Sequence, residues 1–143
     1  MEFKERIVRL RKMRQLTQEE LAKKIGVSTR TIQNYENGSN IPKKYTLKLM
    51  AEALEVEQSE LASDEDLFVI DANESYGSRG RKSAQKLLDN AYALFAGGEL
   101  SEKDKAAVLA ALQDAYVEAK IINKKYTPKK YRKPIFEDEN EKN

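Results

Sequence analysis

The sequence predicts an all-α fold: five short helices in the first 62 residues, then a linker, then a C-terminal two-helix hairpin. Three observations carry this. Apolar residues recur at helical spacing from the third residue onward, with Phe3, Ile7 and Leu10 at i, i+4 and i+7. Helix start and stop signals bracket each periodic stretch. Further on, Val108, Leu112, Ala115, Ala119 and Ile122 step by four, three, four and three along one helix face.

The first helix spans about residues 2–14. The second begins with Thr17 as N-cap and Glu20 three residues later, a capping box, and Gly26 stops it; Leu21, Ala22 and Ile25 form its inner face. Ser28 caps a third helix over residues 29–36, which ends at the turn signal Asn37-Gly38. Pro42 lies in the loop before a fourth helix over residues 44–54, with Leu47, Met50, Ala51 and Leu54 inward. Val56 and Leu61 suggest a short fifth helix that closes the bundle. So small a core implies modest stability.

Residues 63–81 interrupt this rhythm and read as an acidic, Gly/Ser-containing linker. The run LFVI at residues 67–70 either tucks against a neighbouring unit or contributes to a dimer seam. Helix resumes over residues 82–95, with Ala84, Leu87, Leu88, Ala91, Tyr92 and Phe95 along one side, and AGG breaks it. Ser101 caps the next helix, with Asp104 favouring its positive end. A hairpin over residues 82–123 buries little by itself, so it needs a partner surface: a second copy, giving a homodimer, or the N-terminal bundle. The remainder, residues 124–143, is a basic then acidic tail expected to be mobile. Its Lys124, Lys125, Lys129, Lys130, Arg132 and Lys133, with Tyr126 and Tyr131 between, either add nonspecific phosphate affinity or serve solubility.

Composition narrows the function. The 143 residues are 40% hydrophobic and 35% charged, which reads as soluble and helical. No apolar run approaches the roughly 18 residues of a membrane span, and the charged N-terminus is no signal peptide. The absence of cysteine suits the cytoplasm. With no histidine either, a conventional zinc site, a Ser–His pair and a Cys–His pair are all excluded. Neither a P-loop nor a GxGxxG follows a strand-like run. The reading is therefore a non-enzyme without metal or cofactor. The net charge of +2 conceals segregation: residues 1–62 carry twelve bases and nine acids, residues 63–74 five acids and no base, and residues 124–134 six bases and no acid.

The third helix holds the informative chemistry. Only Ile32 and Tyr35 are available to anchor it, so its remaining side chains form a polar face. A capped helix, a three-residue turn containing glycine and a short polar helix compose a helix-turn-helix unit. Arg30 can donate in a fork to guanine, Gln33 and Asn34 can pair with adenine, and Thr29 can offer a hydroxyl or a methyl. Gln18 sits at the positive end of the second helix, where an anion is favoured. Asn37, Lys43 and Lys44 lie just past the third helix, placed to grip the backbone of double-stranded DNA.

The string LTQEELAKKIGVSTRTIQNYENGSNIP resembles the phage repressor and Cro-like class of helix-turn-helix domains, also called the Xre family, over about residues 3–62. The resemblance implies Gln18 on phosphate, with Ser28, Thr29, Arg30, Gln33 and Asn34 facing the groove. It also implies a structural pair between Arg11 and Glu36. The stretch LFAGGELSEKDKAAVLAALQDAY is similar to the C-terminal region of immunity repressors from prophages and integrative elements. That likeness implies an antirepressor metalloprotease as a partner that can cut the repressor. Phe95, Ala96, Gly97 and Gly98 would be the accessible joint, or else a plain turn between helices. The expected function is a sequence-specific transcriptional regulator, a repressor binding a palindromic operator as a dimer. The alternative is an antitoxin that neutralises a toxin and regulates its own promoter.

Overall fold

A computed structural model describes residues 1–94 and 101–126, with side chains described through Glu118. Within these residues the chain forms seven helices and no strand: α1 Phe3–Met13, α2 Gln18–Ile25, α3 Thr29–Asn37, α4 Lys44–Leu54, α5 Gln58–Leu61, α6 Asp64–Ala93 and α7 Glu102–Tyr126. They fall into two compact units, Met1–Lys82 and the residues from Ser83 onward.

Local chemistry sets the ends of the first five. At α2 both bonds of the capping box form: Thr17 Oγ1 accepts from the Glu20 N–H and Glu20 Oε1 accepts from the Thr17 N–H, each at 3.0 Å. The Thr17 N–H foremost, and then the Thr17 hydroxyl, hold the Glu20 carboxyl below its ordinary pKa. Gly26 ends α2 at φ 77°, and a Cβ there would meet nothing within 4 Å. The glycine is thus required by the left-handed backbone and not by crowding. Helix α4 ends on Glu55 at φ 58°, a strained choice for a residue with a side chain. The Arg14 guanidinium offsets it by donating to the Leu54 carbonyl at 2.7 Å and the Glu55 carbonyl at 3.1 Å.

The core of the first unit draws residues from every one of its helices, most of all from α4 with Leu47, Met50, Ala51 and Leu54. Ile7, Leu21, Ile32, Leu47, Met50 and Leu54 are completely buried. Beneath α3 a charged contact lies beside the apolar packing of Ile32 and Tyr35. Arg11 Nε donates to Glu36 Oε2 at 2.7 Å and Arg11 Nη2 to Glu36 Oε1 at 3.0 Å, with side-chain exposures of 12% and 7%. Arg11 also donates to the Leu16 carbonyl at 2.9 Å, so one guanidinium ties α1 to both the α1–α2 turn and α3.

Residues 63–81 are not a linker. They are helical from Asp64, and α6 runs on to Ala93 with one interruption at Gly77, where φ 73° and ψ −163° leave helical geometry. The acidic run that suggested an unstructured spacer is a helix N-terminus: Ser63 Oγ accepts from the Asp66 N–H at 3.1 Å and Asp66 Oδ2 accepts from the Ser63 N–H at 2.9 Å. The contiguous LFVI run hides helical spacing. Ile70, 1% exposed, joins the core of the first unit, Leu67 packs partly against it, and Phe68 and Ala72 are buried. Asp66 also accepts from Arg6 Nη1 at 2.9 Å, and the same nitrogen reaches the Leu61 carbonyl at 3.0 Å. The bundle expected to close with α5 is therefore closed by the first half of α6.

In the second unit Ala84 and Leu88 are buried on α6, while Leu87, expected on the inner side, is exposed. On α7 the apolar side is rotated by about one position from the expected seam. Leu109 is buried at 4%, Val108, Leu112 and Tyr116 are half-buried, and Ala115 is exposed. Leu109 and Tyr116 are bulkier than Val108 and Ala115, the neighbours they displace from this side, while Leu112 is shared with the expected seam. The side chains of Ala119 and Ile122 lie outside the described residues. So do Phe95, Ala96, Gly97 and Gly98, and the tail beyond Tyr126; Lys124, Lys125 and Tyr126, read as the start of that tail, belong to α7.

Two stability outcomes follow from these contacts. Ile70→Ala should cost about 2–5 kcal/mol in chemical denaturation of the full chain, as an emptied core site does; an unchanged midpoint would return residues 63–81 to linker status. Arg11→Ala strands a buried carboxylate and should cost about 3–5 kcal/mol, while the double change Arg11→Met and Glu36→Met should cost clearly less.

Candidate nucleic-acid interface

Helix α3 is held from beneath by Ile32, with no exposure, and Tyr35, at 7%. Burial pushes the Tyr35 phenol above its ordinary pKa, so the ring remains neutral and apolar in its seat. Ser28 starts the helix: its Oγ accepts from the Thr31 N–H at 3.1 Å and lies 2.9 Å from Thr31 Oγ1. Gly38 ends it at φ 82°, with Lys4 packed so closely that a Cβ would lie 3.0 Å from its Cδ.

With the buried side assigned, helical geometry sorts the others. Arg30, Gln33, Asn34 and Asn37 fall at i, i+3, i+4 and i+7 and share the face away from Ile32 and Tyr35. Arg30 and Gln33 are exposed, and their side chains make no hydrogen bond or ion pair with other described residues. Asn34 is half-buried, and its carbonyl accepts from the Asn40 N–H at 3.2 Å. Thr29, also half-buried, sits at the edge of this face. Ser28 is exposed, but its hydroxyl is engaged in the cap. The arrangement offers a guanidinium and three carboxamides, a donor and acceptor set of the kind that matches base edges in a major groove.

The residues expected on phosphate divide by what already holds them. Gln18, at the first position of α2, donates from Nε2 to Glu36 Oε1 at 3.1 Å. Its side chain is thereby oriented by the same carboxylate that binds Arg11, and sequence reasoning missed this link. Asn37 Oδ1 accepts from the Ser39 N–H at 2.8 Å and shapes the turn after α3. Lys43 is exposed just before α4. Lys44, 57% exposed, is paired through Nζ with Asp71 Oδ1 of α6 at 2.9 Å, a partner that no local pattern announces. No group of acidic residues with metal-binding geometry occurs among the described residues, and none of their helices is long and apolar enough to cross a membrane.

Comparison with known proteins gives this geometry its context. A helix-turn-helix family model matches residues 7–61, from the core of α1 to the end of α5. The chain is 31% identical over 136 residues to the immunity repressor protein of Bacillus phage phi105, covering 90% of this chain and 94% of that protein. It is 32% identical over 94 residues to the HTH-type transcriptional activator BcrR of Enterococcus faecalis, covering 66% of this chain and 44% of that protein. No solved structure matches the chain. With a capped α2, a glycine turn, an exposed polar α3 and a similarity to an immunity repressor that extends far beyond them, the chain belongs to the phage repressor-like family of helix-turn-helix DNA-binding transcriptional regulators.

Proposed function

We propose that this regulator is a repressor of the immunity type, which occupies a palindromic operator as a homodimer. The observation that carries the reading is the polar face of α3, anchored from below and open above. In this reading Arg30 forks onto a guanine, Gln33 and Asn34 read adenines, and Ser28 and Thr29 add hydroxyl or methyl contacts. Gln18, Asn37, Lys43 and Lys44 hold the phosphates on either side and fix the register. The first unit is then the DNA-binding domain and the residues from Ser83 onward the dimerisation domain.

Several observations support the finer parts. Similarity to a named immunity repressor over 90% of the chain favours a repressor over an antitoxin, whose likeness would need to reach only through the helix-turn-helix. Leu87, Leu94 and Val117 in the second unit are 45%, 84% and 48% exposed, apolar side chains available to a second copy. Two-fold symmetry would set the two copies of α3 about 34–36 Å apart, one turn of DNA. Control by an antirepressor metalloprotease acting at residues 95–98 belongs to the same proposal and is supported by the family resemblance alone.

Arg30→Ala should lose about 1–3 kcal/mol on a site recovered by binding-site selection and much less on random duplex, measured by fluorescence anisotropy. Equal losses on both would make Arg30 a phosphate contact only. Full-length protein should sediment as a dimer, and removal of residues 83–143 should leave a monomer with weakened operator binding. A dimeric truncated protein would move the seam into the first unit.

A further inference from the structure

The first half of α6 brings acid onto a basic unit. Residues 63–74 contain five acids and no base, whereas the 62 residues before them hold twelve bases and nine acids. This half is fixed in place by Ile70 in the core, by Leu67 against it and by the Arg6–Asp66 contact. Asp71 follows Ile70 directly, so its carboxylate is carried by a seated backbone, and it is only 25% exposed. Its Oδ1 meets Lys44 Nζ at 2.9 Å, the distance at which a DNA phosphate oxygen would also sit. Ion pairs at a protein surface contribute little to folding stability.

We propose that Asp71 occupies Lys44 in place of a DNA phosphate and so lowers affinity for duplex DNA without changing which sequence is preferred. The proposal rests on the reading of Lys44 as a phosphate contact. A lysine already neutralised by a carboxylate has no condensed counterion of the nucleic acid to displace in full measure, so it adds little to affinity at low salt. Asp71 is therefore an affinity-setting residue that acts through Lys44 and touches no base.

The test measures binding of full-length protein to a selected operator and to random duplex over 50 to 200 mM salt, for the wild type, Asp71→Asn, Lys44→Ala and the double variant. Removing the Asp71 charge should tighten both duplexes by about threefold at low salt and steepen the slope of log affinity against log salt by about 0.9 per protomer. Lys44→Ala should weaken binding and flatten the salt slope less in the wild type than in the Asp71→Asn background, where it should abolish the gain. Lys44→Ala leaves Asp71 in place, so it reads the contact even if Asp71→Asn folds poorly. Weaker binding by Asp71→Asn would show that Asp71 orients Lys44 toward phosphate, and loss of the full slope increment in Lys44→Ala alone would show that the lysine is not masked; either result overturns the proposal. Failure of the wild type to bind any duplex would instead sink the DNA-binding reading itself.

Discussion

The Glu36 carboxylate, at 7% side-chain exposure, is the point on which the arrangement of the first unit depends. A carboxylate withdrawn from water must be met by donors or it destabilises the fold. Glu36 is met by two donors from Arg11 on α1 and one from Gln18 on α2, although it belongs to α3 itself. Each donor has a direction and a narrow distance range, so three helices are held in one mutual geometry. Apolar packing through Ile32 and Tyr35 supplies the driving force, but apolar contacts are non-directional and would tolerate rotation of a nine-residue helix. The buried fork removes that freedom. The polar face of α3 can then remain unpartnered within the protein, since its orientation is set from underneath.

Much of the first unit could be read from residues 1–62 because its signals are local. Thr17 with Glu20, Gly26, Ser28 and the Asn37-Gly38 turn mark helix ends within three or four residues, and the observed ends differ from the expected ones by a single position at α1 and α3. The face of α3 follows from spacing alone once Ile32 and Tyr35 are assigned inward. The first half of α6 was obscured by two local features with competing meanings. An acidic run is a spacer in one context and a favourable helix N-terminus in another, and Ser63 with Asp66 decides between them. Four contiguous apolar residues conceal a helical period, because only Leu67 and Ile70 of that run reach the bundle core. The partners of Lys44 and Gln18 lie 27 and 18 residues away, and no short-range pattern encodes such pairs.

The same features give the molecule a graded electrostatic character. Basic residues dominate the helix-turn-helix unit, yet several are already engaged: Arg11 in the fold, Arg14 on the end of α4, Arg6 at the start of α6, and Lys44 on Asp71. Arg30 differs in being exposed and without a partner among the described residues. Cations spent inside the protein build the scaffold, and the one left at the centre of the α3 face is of the type best fitted to recognise a base pair. On the proposed reading, selectivity comes from a few directed donors and the engaged cations add little nonspecific attraction to DNA.

The most direct test is an amide-resolved NMR titration of the full-length protein with duplex DNA carrying a selected site. Orientation of α3 by Glu36 requires the largest perturbations to fall on residues 28–34 and on the first turn of α2, with the amides around Ile7, Leu47 and Met50 hardly moved. Perturbations confined to α7 and the residues after it, with α3 unchanged at saturation, would contradict the account.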